Sequence, residues 1–174
     1  MPKAKKTDKQ RIYILDTNIL SCVFSSTSIR HEDFEPVLKW ITAGHGRIVY
    51  GGEKYKAEIS KTPYLKIFSI LNTFNRTIPL NDVLVDNEQH FIESIENDPD
   101  FDDPHIIAMV RVSGCKLICS NDIRSIRFVS DKKFYTSPIK PPKFYTKKRN
   151  RSLLKDINIP TKYRCNNLKV ELPI

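Results

Sequence analysis

The stretch RIYILDTN, residues 11–18, decides the fold of this chain. It joins an apolar run of strand length, which ends at Asp16, to a small polar residue and then to a helical pattern. A second stretch, KLICSND at 116–122, repeats this arrangement and ends at Asp122. Continuous apolar runs of this kind are typical of parallel strands, because helices cover both faces of their sheet. The two stretches therefore predict an α/β protein.

The rest of the chain alternates short strands with helices. Besides the two strands above, strands are predicted at 47–50, 77–80 and 134–136. Helices are predicted over 18–24, 32–43, 53–61, 65–74, 87–96 and 104–112 and directly after Asp122. This alternation predicts a parallel sheet of four or five strands.

The domain organisation follows from composition. We expect a basic disordered arm at 1–10, one domain over 11–137 and a basic extension over 138–174. The last boundary is placed where prolines and lysines replace the helical pattern, after Ser137. The composition, 40% hydrophobic, is sufficient for a core. No apolar stretch approaches membrane-spanning length, and the N-terminus lacks the apolar region of a secretory signal.

Positive charge is concentrated in the C-terminal quarter. The chain has a net charge of +9. Residues 132–174 hold 12 Lys and Arg against 2 acids, whereas residues 1–131 hold 17 against 18. A basic region attached to a near-neutral body is typical of polyanion binding, although it can also be a solubilising extension.

The four cysteines indicate the redox setting. Cys22, Cys115, Cys119 and Cys165 have no paired zinc spacing. We therefore expect buried free thiols rather than a metal site. Free thiols are typical of a reducing compartment, so the predicted location is the cytoplasm.

Several carboxylates are predicted to lie at the edge of the sheet where proteins with parallel sheets usually have their functional sites. Asp16 and Asp122 each follow a strand, and the carboxyl ends of parallel strands meet at one edge. Carboxylates that come close together at that edge repel each other, and a bound cation usually offsets this repulsion. Each of these aspartates can also be a helix N-cap, and so can Asp103, which precedes Pro104. Glu58, taken alone, is an ordinary solvated helix residue.

Four motifs in order resemble a PIN domain: LDTN at 15–18, GGEKYKAE at 51–58, DPHIIA at 103–108 and SND at 120–122. Their spacing is similar to that of a bacterial branch in which Asp-Pro-His-Ile begins the third acidic helix. The later stretch KPPKFY at 140–145 resembles the same branch. The resemblance covers roughly residues 11–140. It implies a Rossmann-like α/β/α sandwich that binds Mg²⁺ or Mn²⁺ and cleaves RNA, less often DNA.

The resemblance also implies roles for particular residues. It assigns the metal and the catalysis to four acids: Asp16, Glu58, Asp103 and Asp122. Glu53 is the rival of Glu58 for the second position. Asn18 and Ser120 match polar positions near the first and fourth acids and are expected to bind substrate. A toxin role with a protein antitoxin, and a homodimer, are common in the family, but nothing in these residues requires them.

Carboxylate oxygens in a cluster suit Mg²⁺ or Mn²⁺ rather than zinc. Attack by a metal-activated water would leave a 5′-phosphate and a 3′-hydroxyl. His105 is not expected to take part. On a helix it lies about 200° around from Asp103, which predicts a structural or surface role.

The basic extension supplies candidate contacts for a nucleic acid. The phosphate-binding candidates are Lys140, Lys143, Lys147, Lys148, Arg149 and Arg151. Phe144 and Tyr145 either stack on unpaired bases or pack back on the domain.

Two other functions stay open from the sequence. One is a non-catalytic PIN-like module that binds nucleic acid or a protein partner. The other is a Mg²⁺-dependent phosphatase of another α/β fold, although the double aspartate common at its strand end is absent, because Thr17 and Asn18 follow Asp16.

Overall fold

The computed structural model describes residues 11–43, 46–154 and 171–173. The predicted basic arm, Cys165 and most of the extension after residue 154 lie outside these residues.

Five parallel strands form a single sheet. They are β1 (Arg11–Leu15), β2 (Gly46–Tyr50), β3 (Thr77–Pro79), β4 (Leu117–Cys119) and β5 (Lys143–Tyr145). Their order is β3-β2-β1-β4-β5, and every pair is parallel. Tyr13, Ile14 and Leu15 of the central strand are all fully buried. Successive side chains of a strand point to opposite faces, so both faces of the sheet are covered.

Seven helices flank this sheet in the described residues. They are α1 (Leu20–Phe24), α2 (His31–Thr42), α3 (Glu53–Ser60), α4 (Leu65–Thr73), α5 (Asp82–Ile95), α6 (Pro104–Ser113) and α7 (Ile123–Val129). Three 3₁₀ turns lie at Thr17–Ile19, Lys132–Phe134 and Lys148–Leu153. Helix α1 packs on α2, and α5 packs on α6. The predicted α/β class with a five-stranded parallel sheet is confirmed, and the layers are those of a Rossmann-like sandwich.

Helix α5 begins earlier than the sequence predicts, at Asp82 rather than at residue 87. The side chain of Asn81 accepts a hydrogen bond of 3.1 Å from the amide of Leu84 and so caps the helix. The sequence pattern does not predict this start, because polar and acidic residues interrupt the apolar periodicity of the first turns.

The prediction of a strand at 134–136 is wrong. Residues 132–134 form a 3₁₀ turn, and the fifth strand is Lys143–Tyr145, within the range assigned to the extension. Tertiary contacts decide this, because the hydroxyl of Tyr145 is held by the carbonyl of Asp33 at 2.8 Å. Pro142 directly before the strand is tolerated, since β5 is an edge strand. Residues 143–154 therefore pack with the layered fold.

The order of the strands places a topological switch point in the middle of the sheet. The sheet grows from β1 toward β2 on one side and toward β4 on the other. The edge between β1 and β4 is therefore the topological switch point, where open α/β sheets bind their ligands. The amide of Asp16 donates to the carbonyl of Cys119 at 2.9 Å, so the first residues after β1 and β4 lie side by side there.

Cys22, Cys115 and Cys119 are free and buried, as predicted. Among the described residues, no helix is both long enough and apolar enough to cross a bilayer.

Candidate functional site

Asp16 lies at the switch point and is almost fully buried, with 6% of its surface exposed. Its Oδ1 atom accepts from the amide of Asn18 at 3.2 Å, and its Oδ2 atom accepts from the hydroxyl of Ser120 at 2.7 Å. Asp16 therefore caps the following turn with one oxygen, and its other oxygen faces the loop after β4.

The burial of Asp16 has an electrostatic cost. The pKa of its carboxyl is raised from 3.8 to about 6, mainly by burial and with a smaller contribution from the charge of Asp103, while the hydrogen bond from Ser120 opposes the rise. Near neutral pH the site thus holds a carboxylate whose charge is poorly solvated. A bound cation would stabilise this ionised carboxylate.

Asp122 is tied to Asp16 through Ser120. The amide of Asp122 donates to the Ser120 hydroxyl oxygen at 3.1 Å, and that hydroxyl in turn donates to Asp16. The Asp122 Oδ1 atom caps α7, accepting from the amides of Arg124 at 2.9 Å and Ser125 at 3.3 Å. Ser120 is 1% exposed, and its hydroxyl both donates one hydrogen bond and accepts another. It therefore positions the two segments that carry Asp16 and Asp122.

Asp103 occupies the N-cap position of α6, but its side chain accepts no bond from the first-turn amides. The hydroxyl of Ser125 on α7 lies near enough to oppose the rise in the pKa of Asp103. Burial raises the pKa of Asp103, and this outweighs the opposing effects of Ser125 and His105. Its carboxylate thus faces the site, since Ser125 also contacts Asp122.

Glu58 reaches the site from α3. Its Oε2 atom accepts from the hydroxyl of Thr17 at 2.8 Å, directly beside Asp16. Burial by itself would raise the pKa of Glu58, but the imidazole of His105 and the Thr17 hydroxyl together hold it below its usual value. Glu53, the rival candidate, is exposed in the first turn of the same helix. Glu58, rather than Glu53, contacts the residue next to the first acid.

His105 is buried beside Glu58, so a surface role is wrong, whereas the structural role stays a prediction. It is 1% exposed, and its Nε2 atom is 3.5 Å from Oε2 of Glu58. Its Nδ1 atom is buried and has no hydrogen-bond partner in the described part of the chain. Asp103 has non-helical backbone angles (φ −114°, ψ 41°), so the rotation of about 200° expected between positions 103 and 105 of a helix does not apply to its side chain.

Tyr55 fixes the approach of α3 and was missed by sequence reasoning. Its side chain is fully buried, and its hydroxyl donates to the carbonyl of Leu15 at 2.5 Å. The turn that leads into α3 contains Gly52 at φ 82°, a left-handed angle that favours glycine. Because Tyr55 and Glu58 are three residues apart, anchoring the first to β1 holds the second beside Asp16. A tyrosine in a helix carries no local signal for this role.

The donor set fits a hydrated divalent ion. Within residues 11–43, 46–154 and 171–173, no three or more His, Cys, Asp or Glu side chains form a group that could hold a metal ion directly. Mg²⁺ commonly keeps several waters and uses only one or two carboxylates. Asp16, which is buried, and Asp103, which is half-buried, both have raised pKa values and lie among oxygen donors, and such a pair suits a hydrated ion.

The residues that follow β5, 146–154, begin at the carboxyl edge of the sheet, and we call them the basic segment. The amide of Ser120 donates to the carbonyl of Tyr145 at 3.1 Å, so the residues after β5 emerge beside the acids. Lys148 is bonded to Glu32 at 3.0 Å. Of the other candidate cations, Lys147 is half-buried, and Arg149 and Arg151 are exposed after β5. Lys140 and Lys143 are also exposed, but they precede or begin β5 and therefore lie at the opposite edge of the sheet from the acids.

The two aromatic residues of β5 do not face solvent. Tyr145 is fully buried, and Phe144 packs partly buried against the core. Of the two interpretations left open by the sequence, packing against the domain is correct for Tyr145, which cannot stack on a base.

No protein-family model matches the chain, and no curated protein or solved structure matches it either.

Proposed function

We propose that this protein is a metal-dependent nuclease that hydrolyses phosphodiester bonds of RNA in preference to DNA. One observation carries the proposal: four acids from separate parts of the chain are linked at the carboxyl edge of the sheet. Ser120 links Asp16 to the backbone amide of Asp122. The Asp122 carboxylate accepts from the amide of Ser125, a residue that also acts on the pKa of Asp103. Thr17, the neighbour of Asp16, holds Glu58. The resemblance of the same four motifs to a PIN domain supports this proposal.

The four acids Asp16, Glu58, Asp103 and Asp122 would hold Mg²⁺ or Mn²⁺. When bound, the ion would lower the pKa of a water and stabilise charge on the scissile phosphate. The expected products are a 5′-phosphate and a 3′-hydroxyl.

The chain's own residues prepare this site. Burial keeps the charges of Asp16 and Asp103 poorly screened, which favours a cation over open solvent. Ser120 orients Asp16 through a hydrogen bond, and His105 lowers the pKa of Glu58 and so favours its ionised form. Water attack therefore needs no histidine base.

Nucleic acid is the partner that this proposal requires, and the basic residues that follow β5 would bind its phosphates. The buried free thiols suit a reducing compartment, and we place the protein in the cytoplasm. An antitoxin and a homodimer stay predictions of the resemblance.

A non-catalytic nucleic-acid-binding module is the second candidate. It is favoured by the finding that no group of three or more ligating side chains closes on a common point in the described residues. Such a module would bind RNA through the basic segment without cutting it.

The test is an assay of the purified chain on single-stranded RNA, single-stranded DNA and a chromogenic phosphate ester, with Mn²⁺, Mg²⁺ or EDTA. We expect RNA cleavage that needs the metal and is lost in Asp16→Asn. RNA binding without cleavage in any metal would favour the non-catalytic module. Turnover of the phosphate ester alone would favour a phosphatase.

A further inference from the structure

Lys54 lies at the rim of the acidic site and was not singled out by the sequence. It precedes Glu58 by four residues on α3, so the two side chains share one face of the helix. Its Nζ atom donates to the carbonyl of Asp102 at 2.5 Å. Asp102 directly precedes Asp103, so the ammonium group bridges the two elements that carry the second and third acids.

The electrostatics agree with this position. The charge of Lys54 helps to lower the pKa of Glu58 and opposes the raised pKa of Asp103. Yet in the described part of the chain Lys54 forms no salt bridge with a carboxylate. Its one bond is to a backbone carbonyl, which leaves two of the three ammonium donors for another acceptor.

We propose that Lys54 binds a non-bridging phosphate oxygen of the substrate at the acidic site. The inference rests on the proposed nuclease function. A polyanion that approaches four carboxylates is repelled by them, and a metal ion offsets only part of this charge. A lysine between Glu58 and Asp103 supplies a further positive charge where the phosphate must enter, and lysine binds phosphate as a point charge.

A purely structural role for Lys54 would be a tie between α3 and the loop before α6. Its bond to Asp102 is solvent-exposed, so removing the bond should change stability little. Lys56 provides a matched control on the same helix. Its ammonium group pairs with Asp82 on α5, and its side chain is 43% exposed.

The experiment compares wild type with Lys54→Met, Lys54→Arg and Lys56→Met. For each protein we would measure the melting temperature, Mn²⁺ affinity by paramagnetic resonance, and single-turnover cleavage of a short mixed-sequence single-stranded RNA. Binding of the same RNA, labelled with fluorescein, would be measured over a salt series with Ca²⁺ in place of Mn²⁺.

For Lys54→Met we expect cleavage to fall by about tenfold or more, since one preorganised contact to the developing charge is lost. The slope of log affinity against log salt should become shallower by about 0.7, the value for one phosphate contact on a single strand. Mn²⁺ affinity should stay the same or rise, because a repelling cation is removed. Lys54→Arg should keep more activity than Lys54→Met, and Lys56→Met should behave as wild type.

The inference is overturned if Lys54→Met cleaves and binds RNA as Lys56→Met does. It is also overturned if Lys54→Met loses Mn²⁺ binding and melts well below Lys56→Met, which would make Lys54 a structural tie. Both outcomes leave the nuclease proposal standing as long as the wild type cleaves RNA. A wild type that cleaves no RNA in Mn²⁺ would remove the nuclease proposal and this inference together.

Discussion

The hydroxyl of Ser120 donates a 2.7 Å hydrogen bond to the Oδ2 atom of Asp16, although 104 positions of chain separate the two residues. The same hydroxyl oxygen accepts from the amide of Asp122 at 3.1 Å. One buried hydroxyl therefore sets the residues after β1 and β4 relative to each other. It partly compensates the loss of solvation that burial imposes on the second oxygen of the Asp16 carboxylate.

Ser120→Ala should destabilise the fold and weaken the site together. The substitution removes the partner of the Asp16 Oδ2 atom and of the Asp122 amide, which should lower the free energy of unfolding by about 1–3 kcal/mol. Cleavage should fall by about tenfold, because the acids lose their mutual orientation. Urea unfolding and an RNA assay would measure the two effects. Ser130→Ala, at the exposed end of α7, is the control and should change neither.

Asp16→Asn should abolish cleavage and preserve the fold. The amide side chain has nearly the same shape but loses the charge that attracts a metal ion. Circular dichroism and an RNA assay in Mn²⁺ would check this, with Glu93→Gln on the exposed side of α5 as control. Full activity of a pure Asp16→Asn protein would contradict the assignment of Asp16 as a catalytic metal ligand.

The pH dependence of stability should differ between wild type and Asp16→Asn. The pKa of Asp16 is raised from 3.8 to about 6 in the fold, so the folded state binds the proton more tightly than the unfolded state. The contribution of Asp16 to stability is therefore fully present below about pH 4 and is lost as the pH rises to about 6. The stability of Asp16→Asn relative to wild type should grow over this range by about 3 kcal/mol.

Chemical unfolding at pH 4, 5, 6 and 7 would measure this difference. Adding Mn²⁺ at pH 7 should stabilise wild type, because the ion binds the Asp16 carboxylate in the folded state. The difference in the free energy of unfolding between Asp16→Asn and wild type should therefore become smaller. A difference that stays constant from pH 4 to pH 7 would contradict the raised pKa.

Glu58→Gln and Glu53→Gln should separate the two candidates for the second acid. Glu58 contacts Thr17 and His105, whereas Glu53 is exposed in the first turn of α3. We expect Glu58→Gln to cut single-turnover cleavage by about a hundredfold. Glu53→Gln should retain wild-type activity. The reverse ranking would assign the second position to Glu53.

Removing the two exposed arginines of the basic segment should weaken RNA binding and its dependence on salt. In Arg149→Ala combined with Arg151→Ala, the salt slope should fall by about 1.4 if each residue meets one phosphate. Lys148 is left intact because it is paired with Glu32. Fluorescence anisotropy over a salt series would measure the slope. Lys116→Ala, before β4 at the opposite edge of the sheet, should leave it unchanged.

The central strands were predictable because their signal is local. The apolar runs that end at Asp16 and Asp122 show that both faces of β1 and β4 are buried, and the structure confirms this. The edge strand Lys143–Tyr145 was not predictable in the same way. It is short, follows two prolines and owes its position to bonds with Ser120 and Asp33 from distant parts of the chain.

The same distinction applies to the site. That Asp16 and Asp122 share one edge follows from parallel strands alone. That Tyr55 anchors α3 and that His105 lies against Glu58 follows only from how the helices pack. Neither residue differs locally from any other buried aromatic residue on a helix.

By itself, the sequence determined the alternation of strands and helices and which acids follow strands, because hydrophobic periodicity and strand-end residues act over a few neighbouring positions. Only the tertiary structure decided which acids meet, which hydroxyls join them and which cation stands at their rim. Those contacts form when helices from separate parts of the chain bury their apolar faces on one sheet, and the resulting packing sets the distances between their polar groups.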